Sequence, residues 1–511
     1  MAGYDYIVVG AGSAGCAVAG RLASESSSTV LLIEAGGTDR RFTIRAPLAF
    51  ALQFGTSLDW AYESEPEPGC AHRRIPLPRG RALGGTSSMN AMIWVKGSNL
   101  DYDGWNVPGW AWTDVAPIFA RIERHTMHVA ALRNPDELSS LFVAAARAAG
   151  VPANDDVSGP ELDGAAISPV TIHGGQRWNT ARGYLNGQTN LTVVTGARVR
   201  RVILRNGRAV AVEYRRRGRV ETATADHEVI VSAGAYGTPQ VLQLSGIGPA
   251  DHLRSVGVTP LVDSPRVGMG LTEHPNVYST WALVPGHVGL TDAVNPKYLV
   301  EWLFRRRGKF ASNLLEAVAH IRSTPQLPAC DIQLIFAPDD LLTKTLRPKP
   351  TLSVAHSYWT PKSRGSVLIR SADPTAAPAI CNNMLTERED IDALIEAVRR
   401  GREIIATEPI ASVVGRELVP GPGADVEKSI REIAVAASHP ACTVAMGAEP
   451  DSPLDEVLRV RGVENLRVAD ASALPVIPRA NTNAASIMMG ERCADFLLAQ
   501  PVTGPAELHL R

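Results

Sequence analysis

The sequence predicts an α/β chain, α+β overall, with a Rossmann-like nucleotide-binding domain joined to a second domain of antiparallel strands and helices. Three observations carry this expectation. The apolar run Ile7-Val8-Val9 leads directly into Gly10-Ala11-Gly12-Ser13-Ala14-Gly15, a G-x-G-x-x-G spacing. A second apolar run, Val30 to Ile33, ends in the acid Glu34. From about residue 276 to 429 strand-like stretches alternate with helices, and no second fingerprint of this kind occurs.

The first run reads as a buried parallel strand, because β-branched residues without polar interruption suit a strand covered on both faces. Gly10 permits the tight turn, Gly12 lets backbone approach a pyrophosphate, and Gly15 lets the next helix pack close to the strand. Ser13 and Ala14 belong to this loop, and residues 16–22 continue as that helix, whose first N–H groups can hold phosphates. Glu34, followed by Ala35, stands where an acidic side chain meets ribose hydroxyls. An acid there disfavours a 2′-phosphate, so the ligand expected is FAD or NAD rather than NADP.

Bulk properties narrow the class. The chain has 511 residues, 45% hydrophobic and 20% charged, an ordinary globular composition with room for two domains. The net charge of −1 gives no basis for nucleic-acid binding. The triplets Arg215-Arg216-Arg217 and Arg305-Arg306-Arg307 read as solvated faces. Six scattered cysteines without a C-x-x-C pair point to reduced thiols, a cytoplasmic setting and no metal site. The first strand opens too early for a signal peptide, and no apolar run approaches a membrane span. The oligomeric state is left open.

A second glycine-rich stretch runs from Arg79 through Arg81, Gly84, Gly85, Ser88, Met89, Asn90, Ala91 and Met92 to Ile93. Its mixture of small and apolar residues marks a buried loop able to lie against a flat ligand. Here the chain resembles the glucose-methanol-choline (GMC) family of FAD-dependent oxidoreductases, whose first signature is similar to this stretch. The resemblance implies that Arg81, Gly84, Gly85, Ser88, Asn90, Ala91 and Met92 wrap the cofactor. Met89 stands where some relatives carry a histidine bonded to the flavin, so a non-covalent FAD is implied.

Further along, residues 135–150 suggest one amphipathic helix, with Leu138, Leu141, Phe142 and Ala145 on one face. Leu191 to Val194 and Arg198 to Leu204 read as strands, with a hairpin signal at Asn206-Gly207. The resemblance places Val199 at the adenine. His227 to Ala233 is another buried strand. Thr238 to Pro249 is similar to the second family signature, with a helix expected to start at Pro239 and end at Gly246. Asp390 to Ile405 has an amphipathic helical pattern. The expected division is an FAD-binding domain of residues 1–150, 186–275 and 430–511, and a substrate domain of 151–185 and 276–429.

The chemistry concentrates near the C-terminus. Ser438-His439-Pro440 puts a histidine in an extended or turn conformation. In the family a histidine in such a segment is the catalytic base, and the position of Asn481 faces it across the substrate. Asp470 and Ala471 match cofactor contacts. Asn481-Thr482-Asn483 opens the last helix, where an Asn N-cap is expected and the helix dipole can favour an anionic flavin. Cys442 is expected to pack beside the site.

The resemblance thus implies oxidation of an alcohol to a carbonyl, with electrons passed to dioxygen or another acceptor. The rivals are a non-redox lyase of the hydroxynitrile lyase type, a choline dehydrogenase, a flavoprotein without an alcohol substrate, and an NAD-dependent dehydrogenase. Ser438 stands where choline enzymes place an aromatic ring, and Glu316 is either the counterpart of the carboxylate facing their cation or a structural acid at the domain seam. Ser438 enlarges the pocket, so a bulky neutral alcohol (aryl, furan or glycoside-like) is expected over choline.

Overall fold

The computed structural model describes residues 2–341 and 350–499. Ala2–Val9 lies in the middle of a sheet, between Val30–Ile33 and Arg219–Val231, with all three parallel. Leu191–Val194 adds to one side and Leu466–Val468 pairs with Val229 to Val231 on the other, again parallel. Ala197–Arg205 and Arg208–Arg216 extend the sheet as an antiparallel hairpin. Its turn is Asn206-Gly207, with φ of 50° and 76°, the left-handed pair that a two-residue hairpin needs. Ile7, Val8, Val30 and Leu32 are completely buried, as expected for strands covered on both faces.

The first glycine motif does what its spacing demands. Ser13–Glu25 forms the helix after the turn, and a Cβ on Gly15 would sit 1.9 Å from the Gly10 carbonyl oxygen. Any other residue would force this helix off the strand. The last helix, Asn483–Leu498, packs against it. The contact is locked by Arg21, whose Nη1 lies 3.1 Å from the buried Glu491 carboxylate.

A second sheet runs in the order Val414–Val419, Pro275–Leu283, Thr351–Tyr358, Ile332–Ala337, Ala317–Ile321, Gly164–Ile167, antiparallel throughout. Period-2 alternation gives it two faces. Val277, Leu334 and Val354 enter a core beneath the helix Arg388–Ile405. Tyr278, Ile335 and Ala355 lie in register across three strands on the opposite face and form one wall of the central cavity.

Three local expectations are corrected. The helix expected from Pro239 begins earlier, at Gly234, and holds Pro239 in its interior. Proline cannot donate to the carbonyl four residues back; that carbonyl, of Ala235, instead accepts from Thr443 Oγ1 at 2.7 Å. The last helix is not capped by an asparagine: Thr482 occupies the N-cap and makes no side-chain cap bond. The expected domain limits also cut across the packing. Glu137–Ala148, placed with the first domain, packs in the second core, where Phe142 stacks on Phe336 with ring centroids 4.8 Å apart. Thr180–Tyr184, placed with the second domain, sits against the glycine-loop helix, with Ala181 and Tyr184 in the first core.

Candidate active site

A continuous cavity of about 670 Å³ runs from the glycine loop to the cavity-facing wall of the second sheet. At its first end lie Gly10, Gly12, Ser13, Ala14, Glu34, Ala35, Val199 and Ala233. Along its length follow Gly85, Met89, Asn90, Ala91 and Met92, then Asp470, Ala471, Asn481, Thr482 and Asn483. Ser438 and His439 lie at the far end, beside Tyr278 and Asn276. The structure therefore brings together most of the residues singled out in the sequence, although they come from separate parts of the chain.

Five of them are not on the cavity wall. Gly15 acts through helix packing. Gly84, with φ of 88°, turns the chain, and Ser88 Oγ donates to the Leu83 carbonyl and accepts from Asn179. Arg81 faces an adjoining cleft that it shares with Arg198, Arg200, Arg215 and Arg217. Its guanidinium and that of Arg198 stand 5.1 and 5.2 Å from the same Trp60 ring. Glu316 is completely buried: Oε2 accepts from the Asp136 amide and Ser139 Oγ, both at 2.7 Å, and Oε1 accepts from Ser312 Oγ at 2.5 Å. Its carboxylate fastens the helix Glu137–Ala148 to the second sheet and does not reach the cavity.

The first end of the cavity fits an FAD. Glu34 is buried, and burial raises its carboxyl from an ordinary 4.5 to about 7. Its Oε2 accepts from the Ala11 amide at 3.0 Å and its Oε1 from the Gly36 amide at 2.7 Å. A carboxylate has about four acceptor sites, so acceptor capacity remains for a ribose hydroxyl. Ser13 Oγ donates to Asn483 Oδ1 at 2.7 Å, which ties the phosphate loop to the start of the last helix. That helix has 16 residues and no side-chain cap, so its first N–H groups are open to an electron-rich ligand. Asp470 Oδ2 accepts from the Gly234 amide and Thr238 Oγ1, and its Oδ1 from the Ser472 amide. This carboxylate braces two chain turns at the cavity wall.

The second glycine-rich stretch is buried, as its composition indicated, with Gly85 to Ser88 in a short 3₁₀ turn. Arg177, a residue the sequence gave no reason to choose, is the clamp. Its fully buried guanidinium donates to the carbonyls of Ile44 and Ser87 and to Asn90 Oδ1 at 2.7 Å. Burial without an acidic partner lowers its pKa to about 9.

At the far end, His439 Nε2 lies 3.1 Å from Asn481 Nδ2, and His439 Nδ1 lies 3.1 Å from Nδ1 of His274. Burial, aided by the Arg79 guanidinium, pulls His439 down to about 3. The imidazole is thus neutral at pH 7. Arg79 Nη2 donates to the Ser438 carbonyl at 2.7 Å, which holds Ser438 in a left-handed conformation with φ of 68°. Glu273 Oε1 accepts the His439 amide at 2.7 Å and the His274 amide at 3.0 Å. Sequence reasoning passed over Glu273 and His274. The available signal was a second histidine–proline pair, His274-Pro275, matching His439-Pro440. Cys442 is buried, and burial pushes its thiol up to about 12, so it packs as an inert side chain. Among the described residues no cluster of His, Cys, Asp or Glu could hold a metal ion, and no helix is long and apolar enough to cross a membrane.

Comparison with known proteins agrees with this geometry. The GMC oxidoreductase family matches residues 4–276 with its N-terminal part and 361–490 with its C-terminal part. A GMC-type oxidoreductase of Mycobacterium tuberculosis, described as uncharacterised, is 37% identical over 96% of this chain and 99% of its own. An oxygen-dependent choline dehydrogenase of Rhizobium etli is 37% identical over 97% of this chain and 96% of its own. The crystal structure of a pyridoxine 4-oxidase from Mesorbium loti superposes with a TM-score of 0.87 at 28% identity, covering 96% of this chain and 98% of that one. With its cofactor cradle, its histidine–asparagine pair and these matches over nearly its whole length, the chain belongs to the GMC oxidoreductase family and is an FAD-dependent alcohol oxidoreductase.

Proposed function

We propose that the chain oxidises a bulky, neutral primary or secondary alcohol, with His439 as the base that takes the hydroxyl proton. FAD, when bound, supplies the hydride acceptor. Burial keeps His439 neutral at pH 7, and the residue lines the cavity, as a general base must. Asn481, within hydrogen-bond distance of that nitrogen, holds the same hydroxyl oxygen and so orients the carbon that is oxidised. The pairing of these two side chains on the wall of the cavity that the glycine loop also lines is the observation that carries this reading.

Two features favour a neutral substrate over a quaternary ammonium. The Arg79 guanidinium lies on the cavity wall beside the base and repels a cation. Glu316 is turned away into its own hydrogen bonds. Ser438, small and on the wall, leaves space next to His439. Choline is the second reading, favoured by the name of the Rhizobium relative and by the Tyr278 ring on the wall, which could face an ammonium.

The test is a panel of alcohols scored by anaerobic bleaching of the flavin. A benzylic alcohol should show a higher kcat/KM than choline, and Ser438→Trp should penalise the largest substrates most. A preference for choline in the wild type would reverse the assignment. His439→Ala should retain FAD yet lose on the order of 10²–10⁴-fold in bleaching rate, the span expected for a general base. An unchanged rate would remove His439 from that role.

A further inference from the structure

His274 and His439 meet behind the cavity with ring centroids 5.3 Å apart and planes at 79°. Both precede a proline, and one carboxylate, Glu273, accepts both backbone amides. His274 is completely buried. Burial and the neighbouring His439 hold it well below an ordinary histidine pKa, so both rings are neutral.

Two neutral imidazoles can bond Nδ1 to Nδ1 in only two ways: one ring must carry its proton there and the other must present a lone pair. What lies beyond the pair sets the direction. At the other nitrogen of His439, Nε2, stands the Asn481 amide Nδ2 at 3.1 Å, which can only donate, so Nε2 holds a lone pair. A neutral His439 then carries its proton on Nδ1 and donates it to His274 Nδ1. His274 Nδ1 is the acceptor, and the His274 proton belongs on its buried Nε2, which makes no hydrogen bond of its own. The three groups form a relay with one polarity.

We propose that His274 is a positioning residue that holds His439 in its Nδ1–H form, leaving His439 Nε2 unprotonated toward the cavity. The inference rests on reading His439 as the base. In the opposite tautomer Nε2 would already carry a proton and could not take one from an alcohol. When Nε2 receives the hydroxyl proton, Nδ1 keeps its own and the bond to His274 persists, so the ring does not rotate between the two states.

The direct test uses holoenzyme labelled with ¹⁵N-histidine. Two-bond proton–nitrogen correlations distinguish a protonated from an unprotonated ring nitrogen, and His274→Asn and His439→Asn assign the signals. The expected result is protonated Nδ1 and bare Nε2 for His439, with the reverse for His274. A His439 ring protonated at Nε2 overturns the proposal whatever the activity. The kinetic arm compares His274→Leu, which removes the acceptor, with His274→Asn, whose side-chain oxygen can replace Nδ1. His274→Leu should lower the bleaching kcat on the order of tenfold or more, as expected when a base loses the partner that sets its tautomer, with KM little changed. His274→Asn should restore most of it. Equal kcat in His274→Leu and wild type, or equal losses in both variants at full FAD content, overturn the proposal. If His274→Leu fails to fold, the labelled wild-type spectrum still decides. His439→Ala, measured alongside, separates the two levels: an unchanged rate there defeats the base assignment, while the tautomer is read independently of activity.

Discussion

Glu34 shows how far a single residue's chemistry follows from its place in the chain. The acid after the second strand was expected at a ribose, and the structure puts it on the cavity wall with acceptor capacity to spare. Burial raises its carboxyl to about 7, above an ordinary 4.5. Between those values the folded protein holds a proton that the unfolded chain has released. This contribution to stability is fully present below pH 4.5 and is lost as the pH rises through about 7. Ribose hydroxyls donating to Glu34 favour its ionised form, so FAD binding releases that proton. FAD affinity should therefore rise between pH 5.5 and 8, by on the order of tenfold for each unit by which binding lowers the pKa. Titrating the apoprotein with FAD at both pH values measures it. Glu34→Gln should flatten the profile, and a flat wild-type profile would take Glu34 out of the ribose site. Other residues were less legible. Glu316 and Arg81 carry charges that suited a ligand, but a carboxylate or guanidinium is equally satisfied by a hydroxyl, an amide or an aromatic face, and the sequence does not say which neighbour arrives. Arg177 and His274 are the converse: each gains its role only from groups far along the chain.

At the scale of elements, periodicity served well where one apolar face meets one core. The helix patterns around Glu137–Ala148 and Arg388–Ile405 and the hairpin at Asn206-Gly207 appear close to their expected limits, and the glycine-loop helix, expected over residues 16–22, runs three residues further at each end. It failed where a local rule was satisfied from a distance. Proline ordinarily belongs in the first turn of a helix, yet Pro239 lies inside Gly234–Leu244 because Thr443 supplies the hydrogen bond that it removes. Asn481 and Asn483 looked like caps, but their side chains are engaged with His439 and Ser13. The Pro239–Thr443 pairing predicts a coupling. Thr443→Val leaves the Ala235 carbonyl buried without its donor and should cost about 1–3 kcal/mol in denaturant unfolding. In a Pro239→Ala background the helix regains its own N–H at that carbonyl, and the same change should cost much less. Equal costs in both backgrounds would mean that Thr443 acts through packing alone.

At the scale of the molecule, two sheets were legible but their division was not. Sequence texture separates a parallel region from an antiparallel one, whereas the helices that cover them are exchanged: Glu137–Ala148 covers the second sheet, and Thr180–Tyr184 flanks the first. Both sheets also wall one cavity, the first through the glycine loop and the second through Tyr278, Ile335 and Ala355. We therefore infer that the holoenzyme unfolds as one unit, with the cofactor gripped from both sides. Phe142 tests this from a distance. It is completely buried on the face of the second sheet opposite the cavity, where it stacks on Phe336 at an interplanar angle of 19°. Phe142→Ala should cost about 3–5 kcal/mol, the usual penalty for deleting a buried aromatic ring. If the two cores are coupled, the loss will appear identically in two probes. Flavin fluorescence, which rises on release, and far-ultraviolet circular dichroism should shift together to the same lower midpoint, with a single transition in each. Added FAD should raise that midpoint in the variant and in the wild type alike, because only the folded state binds it. Flavin release at the wild-type temperature, with a separate earlier loss of secondary structure, would show that the second sheet can melt without loosening the cofactor. The exchanged helices would then be mere neighbours of the cores they cover.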